Sequence, residues 1–265
     1  MPRFAANVSM LFTELPFLER LAAARAAGFE AVECQFPYEW DAQEIAQRLD
    51  AHHLRMVLHN LPGGDTAAGE RGIACHPGRV EEFRAGVARG IDYAHRLGCP
   101  QVNCLAGIRP ARVSAEAAHA CLVENLRHAA SATSQAGLRL LTEPINHFDV
   151  PGFLLNTVAQ AADLLQAVGH DNLFIQYDLY HTQRMTGELA LTAQRHLAQI
   201  GHIQIADNPG RHEPGTGEID HRFMFRHLDA IGYRGWIGCE YVPLGNTWDG
   251  LGWMQRLVPP VASAP

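Results

Sequence analysis

The feature that most restricts this chain is an eightfold alternation of short apolar runs with longer Ala- and Leu-rich segments of helical period. The apolar runs occupy 3–10, 30–36, 55–60, 101–105, 139–143, 173–178, 203–206 and 236–241. Runs of strand length separated by helix-length segments predict parallel strands joined by crossover helices. Five of the helical segments end on the same punctuation, Ala27-Gly28, Leu97-Gly98, Ala136-Gly137, Val168-Gly169 and Ile231-Gly232. Glycine there takes the left-handed conformation that closes a helix without a Cβ clash. Ser114 and Thr157 supply hydroxyls that can cap the fourth and fifth helices.

Eight such units in 265 residues predict an α/β chain folded as a (β/α)8 TIM barrel, one domain over residues 1–258, with a proline-rich tail at 259–265. A doubly wound dinucleotide fold would carry Gly-x-Gly-x-x-Gly after its first strand, and no such motif follows residues 3–10. Barrel active sites form at the C-terminal ends of the strands. The longer connections, 61–77, 144–156 and 207–219, all leave strands at that end, so the chemistry is expected there.

Composition excludes several function classes. Lys plus Arg total 21 against 28 Asp plus Glu, a formal charge of −7, and no stretch gathers Arg into a stripe that could follow a phosphate backbone, which argues against a nucleic-acid partner. Cys34, Cys75, Cys99, Cys104, Cys121 and Cys239 contain no Cys-x-x-Cys pair and read as reduced core thiols. The chain lacks an uninterrupted apolar stretch of membrane-spanning length and opens without a signal-peptide pattern, so no membrane partner and a cytoplasmic location are expected. Association into a homo-oligomer is left open.

Four strands end on side chains able to hold a metal: Glu143 in Leu141-Thr142-Glu143-Pro144, Asp178 in Gln176-Tyr177-Asp178, Gln204 in His202-Ile203-Gln204, and Glu240 in Gly238-Cys239-Glu240. Strands five to eight are neighbours in a barrel, so these groups, turned inward, would converge at one mouth. Carboxylates so close repel unless one is protonated or a cation sits between them, and three carboxylates with an amide oxygen suit one divalent ion, Mg²⁺ or Mn²⁺. His59 closes the third strand, His181 lies one helical turn beyond Asp178, and His202 shares a strand face with Gln204. Of these, His202 reads best as a hydrogen-bonded core residue. Arg71, Arg184 and Arg211 lie at the same end, where a guanidinium can fork onto a substrate carboxylate. Arg211 is best placed, in the turn-rich loop Asn208-Pro209-Gly210-Arg211-His212-Glu213-Pro214-Gly215.

Several motifs then resemble the hydroxypyruvate isomerase family of the xylose isomerase-like barrel superfamily. They are Asn7-Val8-Ser9-Met10-Leu11-Phe12, His59-Asn60-Leu61-Pro62, Gly69-Glu70-Arg71-Gly72-Ile73-Ala74, Glu143-Pro144-Ile145-Asn146, Gln176-Tyr177-Asp178, and Gln204-Ile205-Ala206-Asp207-Asn208 running on to Glu213-Pro214-Gly215-Thr216-Gly217-Glu218-Ile219. The resemblance implies a divalent metal on Glu143, Asp178, Gln204 and Glu240, with Glu143 and Glu240 as the acid/base pair. It implies substrate contacts from His59, His181, Arg211 and Arg71. In related ketose 3-epimerases the position of Gln204 is a histidine; the all-oxygen set here favours Mg²⁺ or Mn²⁺ over Zn²⁺.

The activity so implied is an isomerase that interconverts hydroxypyruvate and tartronate semialdehyde (2-hydroxy-3-oxopropanoate) through an enediolate, its partner a small hydroxy- or oxo-acid. The nearest alternatives on the same scaffold are an isomerase of a four-carbon 2-oxo acid, of the 2-oxo-tetronate type, and a ketose 3-epimerase. A metal-dependent nuclease would want more histidine ligands and a basic groove, against the −7 charge. A ligand-binding barrel without catalysis would leave the strand-end carboxylates unexplained.

Overall fold

Eight parallel strands pair in chain order and the first closes on the last: β1 (Arg3–Asn7), β2 (Ala31–Cys34), β3 (Arg55–Asn60), β4 (Gln101–Cys104), β5 (Arg139–Thr142), β6 (Leu173–Asp178), β7 (Ile200–Ile205) and β8 (Trp236–Cys239). This computed structural model describes residues 2–258, and the tail expected at 259–265 lies outside the described residues. Each expected strand is present. Those expected at 3–10, 30–36, 101–105, 139–143, 203–206 and 236–241 stop earlier, because the ladder ends where the chain turns outward into the C-terminal loops, and β7 begins at Ile200, before the expected 203. Glu143 and Glu240 therefore stand one residue beyond their strands.

The helices are α1 (Phe17–Ala26), α2 (Ala42–Ala51), α3 (Val80–Leu97), α4 (Ala115–Gln135), α5 (Val158–Val168), α6 (Leu179–Met185), α7 (Leu189–His196), α8 (His221–Ala230), α9 (Thr247–Gly250) and α10 (Trp253–Leu257). The expected punctuation holds: Gly28, Gly98, Gly137, Gly169 and Gly232 all have positive φ. Ser114 Oγ accepts from Ala117 N, and Thr157 with Gln160 forms a reciprocal capping box. Between β6 and β7 one helical segment was expected. The structure has two, broken at Gly187, with Glu188 in a left-handed conformation at φ 50°.

The main core lies between the strands and the helix layer. Inside the barrel is a separate small cluster, Ala5, Ala31 and Val57, with Trp236 packed against it. Alternation along a strand puts every second side chain on the inner face, so β1 points Arg3, Ala5 and Asn7 inward in ascending order. Above the apolar cluster is a polar storey built on Glu33, fully buried. Glu33 accepts from Gln204 Nε2 at 2.7 Å and Asn7 Nδ2 at 3.0 Å and lies 2.6 Å from His202 Nε2. Gly238 makes the room for it, since a Cβ there would fall 2.3 Å from a Glu33 carboxylate oxygen. All six cysteines are free, five of them buried. No helix among the described residues is long and apolar enough to cross a membrane.

Candidate active site

Glu143, Asp178, His181 and Glu240 meet at the C-terminal mouth, buried, with one donor atom of each within 4.8 Å of all the others. Most of their oxygens are already fixed by the chain. Asp178 caps α6, its Oδ1 accepting from Tyr180 N at 2.7 Å, while its Oδ2 is buried with no partner. Glu143 Oε2 accepts from Asn103 Nδ2 at 3.1 Å. Glu240 Oε1 accepts from Asn7 Nδ2 and Gln35 Nε2, both at 3.1 Å, and its Oε2 from Arg211 at 2.7 Å. The cluster is thus preorganised by amides on β1, β4 and the chain just after β2.

Taking three carboxylates out of water beside one guanidinium leaves excess negative charge, and the acidities record it. Burial, then the charges of Glu240 and Asp178, push Glu143 well above the carboxylate range. Burial pushes Asp178 up to about 7 against the pull of Arg211, and raises Glu240 against the same pull. A cation resolves what protons otherwise must. Oxygens bound at roughly 2.0–2.6 Å to one hard cation lie within about twice that distance of each other, which the 4.8 Å cluster satisfies. The unpartnered Asp178 oxygen is a lone pair with nothing else to serve. The residues fit a divalent ion.

His181 enters this cluster as a donor rather than as a ligand. Asn146 Oδ1 accepts from Asp149 N at 2.9 Å, which fixes the amide so that its Nδ2 donates to His181 Nδ1 at 2.7 Å. With Nδ1 accepting, the network assigns the proton to Nε2, 3.7 Å from Asp178 and 3.9 Å from Glu143. Burial, with the charges of Arg211 and Arg184, holds this imidazole well below its usual range, hence neutral.

The other sequence candidates separate. Gln204 is buried beside Asp178 in register, its Oε1 accepting from Gln176 at 2.5 Å; a carbonyl oxygen has a second lone pair, so a further contact remains open to it. Arg211 reaches the cluster from a left-handed backbone position, φ 57°, its guanidinium over the Tyr180 ring. Arg71 borders the same cavity but donates to the carbonyls of Thr66 and Glu70 in its own loop. His59 is wholly buried, Nδ1 beside Tyr38 and the Asn60 carbonyl and Nε2 unpartnered, and burial takes it down to about 4. Arg184 turns away to Asp149 at 3.3 Å, and His202 is core, as its strand position suggested. Glu143, His181, Glu240, Arg71 and Arg211 line one cavity of about 80 Å³, and Asp178, Gln204 and His59 do not border it.

Sequence reasoning missed the amides and Glu33. Asn7 was visible only inside a motif, and Asn103 and Gln35 carry no signal without knowing which strand faces align. Glu33 had one: a carboxylate within the short, otherwise apolar run Ala31-Val32-Glu33-Cys34 must be buried with partners.

Fold and site together define a barrel enzyme with a buried carboxylate centre at its C-terminal mouth. Residues 21–257 match the xylose isomerase-like TIM barrel family model. The chain is 54% identical to hydroxypyruvate isomerase of Escherichia coli (strain K12), covering 96% of this chain and 99% of that one, and 47% identical to 2-oxo-tetronate isomerase of Cupriavidus necator, covering 96% and 98%. It superposes with a TM-score of 0.94 on a crystal structure of an AP endonuclease, family 2, from Brucella melitensis, 42% identical and covering 98% of this chain and all of that one. The chain belongs to the xylose isomerase-like TIM barrel family, in its hydroxypyruvate isomerase branch, and is an isomerase.

Proposed function

We propose that the protein interconverts hydroxypyruvate and tartronate semialdehyde at the Glu143–Asp178–Glu240 centre. The observation that carries this reading is the size and lining of the cavity: about 80 Å³, far below the roughly 300 Å³ of pockets for drug-sized ligands, with Arg211 at its edge for one substrate carboxylate. Glu143, Asp178, Gln204 and Glu240 would hold one divalent cation, Mg²⁺ or Mn²⁺, which when bound supplies positive charge next to the two vicinal substrate oxygens.

The chain's own groups then account for the proton traffic. Glu240, whose carboxylate takes donations from Arg211, Asn7 and Gln35, is the base: it removes a proton from C3, and the electron pair passes to the C2 oxygen as the enediolate forms. Glu143 relays the C3 hydroxyl proton to the C2 oxygen while Glu240 returns its proton to C2, so one C–H and one O–H have each moved by one carbon. His181 Nε2–H donates to a substrate oxygen and holds it in place, and Arg211 and Arg71 orient the carboxylate. His59 precedes Asn60, which lines the cavity, and would meet the substrate only from behind that residue.

A four-carbon 2-oxo acid is the second reading, favoured by the 47% identity to the 2-oxo-tetronate isomerase. A nuclease is not favoured: the cluster contains one histidine, and the chain carries a charge of −7. The test is turnover of hydroxypyruvate, followed through a coupled tartronate semialdehyde reductase, with chelator and then with added Mg²⁺ or Mn²⁺, beside a 2-oxo-tetronate. Cation-dependent turnover with the higher kcat/KM for hydroxypyruvate is expected; a preference for the four-carbon acid would transfer the assignment to it.

A further inference from the structure

We propose that the opposite, N-terminal mouth of the barrel is a binding site for a small multivalent oxyanion, a molecule with two or more phosphate or carboxylate groups. β1, β3 and β5 each open with an arginine, Arg3, Arg55 and Arg139, and these three with Arg234 line one cavity of about 570 Å³. Among the described residues, none of the four has a carboxylate within salt-bridge distance. In a chain of net charge −7, four unmatched guanidinium groups around one concavity focus positive potential into it.

Glu33, the acid inside the barrel, cannot neutralise them, because it is occupied by His202, Gln204 and Asn7. Arg3 and Arg139 lie 4.8 Å from the Trp236 ring and 5.9 Å from the Phe174 ring. Arg3 also donates to the main-chain carbonyl of Arg234, and Arg234 to those of Asp229 and Tyr233, so these two keep part of their five N–H donors for a ligand. The floor points the same way. His202 presents Nε2 to Glu33, so its Nδ1 accepts from Gln101 Nε2 at 3.4 Å, and the Gln101 side-chain Oε1 is left buried with no partner. An orphaned acceptor at the base of a cationic cavity suits a ligand that also carries a hydroxyl or a bound water. Gln101 and His202 are 3% and 1% exposed, so this floor is not a solvated surface.

The test is calorimetric titration of the cation-loaded protein at fixed ionic strength with propane-1,3-diyl bisphosphate and, separately, propane-1,2,3-tricarboxylate, with inorganic phosphate as the single-group reference. One saturable site is expected, at least about tenfold tighter for a multivalent probe than for phosphate, and the better probe names the headgroup. The Arg55→Gln/Arg139→Gln double variant should weaken it by at least about tenfold, whereas Glu143→Gln should leave it in place. On the unmodified protein the same probe should shield Arg55 and Arg139 from phenylglyoxal, read by mass spectrometry. No saturable binding, undiminished labelling of those arginines, or loss in Glu143→Gln but not in the arginine variant would overturn the site.

Discussion

The same strands carry opposite charge at their two ends: β5 opens with Arg139 and runs out against Glu143, and the strand after it ends on Asp178. At the C-terminal end three carboxylates are 1–5% exposed, two of them lining a cavity of about 80 Å³; at the N-terminal end the arginines are exposed around one of about 570 Å³. The difference lies in burial rather than in charge count. Hydrated arginines that repel one another cost little, because water screens them. Carboxylates without water must take protons or a cation, and either choice makes them reactive.

The largest expected effect breaks the upper end alone. Glu240→Gln, which keeps the side-chain size but turns one accepting oxygen into a donor and removes the base, should lower kcat by about a thousandfold or more, as should Glu143→Gln, with cation content measured in parallel; near-native turnover with intact cation content would remove that residue from the acid/base pair. Next comes the storey between the two ends. Glu33→Ala leaves His202 and Gln204 Nε2 unpaired in the interior and should cost about 3–5 kcal/mol by chemical denaturation, with Gly238→Ala destabilising by the same crowding of Glu33.

The cation should discriminate the ends through pH. A carboxyl raised on folding, such as Asp178 at about 7, contributes stability that is complete below its unfolded value near 4 and is lost as pH rises through its folded value. The cation-free protein should therefore lose stability between about pH 4 and pH 7, and the melting rise on adding Mn²⁺ should be greater at pH 8 than at pH 5.5. At a cation concentration near 100 times Kd that rise corresponds to about 2.7 kcal/mol, and an equal rise at both pH values would argue that the cation binds elsewhere. Arg211→Ala should lower kcat/KM about 10- to 100-fold, chiefly through KM; an unchanged saturation curve would exclude it from the substrate site. The smallest effect lies outside both ends: Thr157→Ala removes half of a capping box and should cost about 1 kcal/mol.

The strand starts and the cap and Gly signals were legible because they are local: a period, a hydroxyl, a residue without Cβ. Glu143, Asp178, Gln204 and Glu240 were legible as a set because parallel strands in chain order put their ends at one rim. His181 was legible as a site residue, but its role as a donor was not, since that depends on Asn146 and Asp149, which hold its ring from a separate loop. The break between the two helices after β6 was missed although its signal is local: Gly187 has a positive φ of 65°, like the other helix-ending glycines, and α7 follows directly with Leu189 and Ala193 buried.

By itself the sequence determined the number of βα units, their order around the barrel and the residue types at the catalytic rim, because each follows from the chemistry of neighbours along the chain. Tertiary structure alone decided which lone pairs were spent and which were left. Asp178 Oδ2 is unpartnered, Glu33 fills the space a missing Cβ leaves at Gly238, and four arginines from distant segments face one cavity without an acid. Those facts arise where strands remote in sequence approach to hydrogen-bonding distance, and burial there sets how much each unpaired group costs.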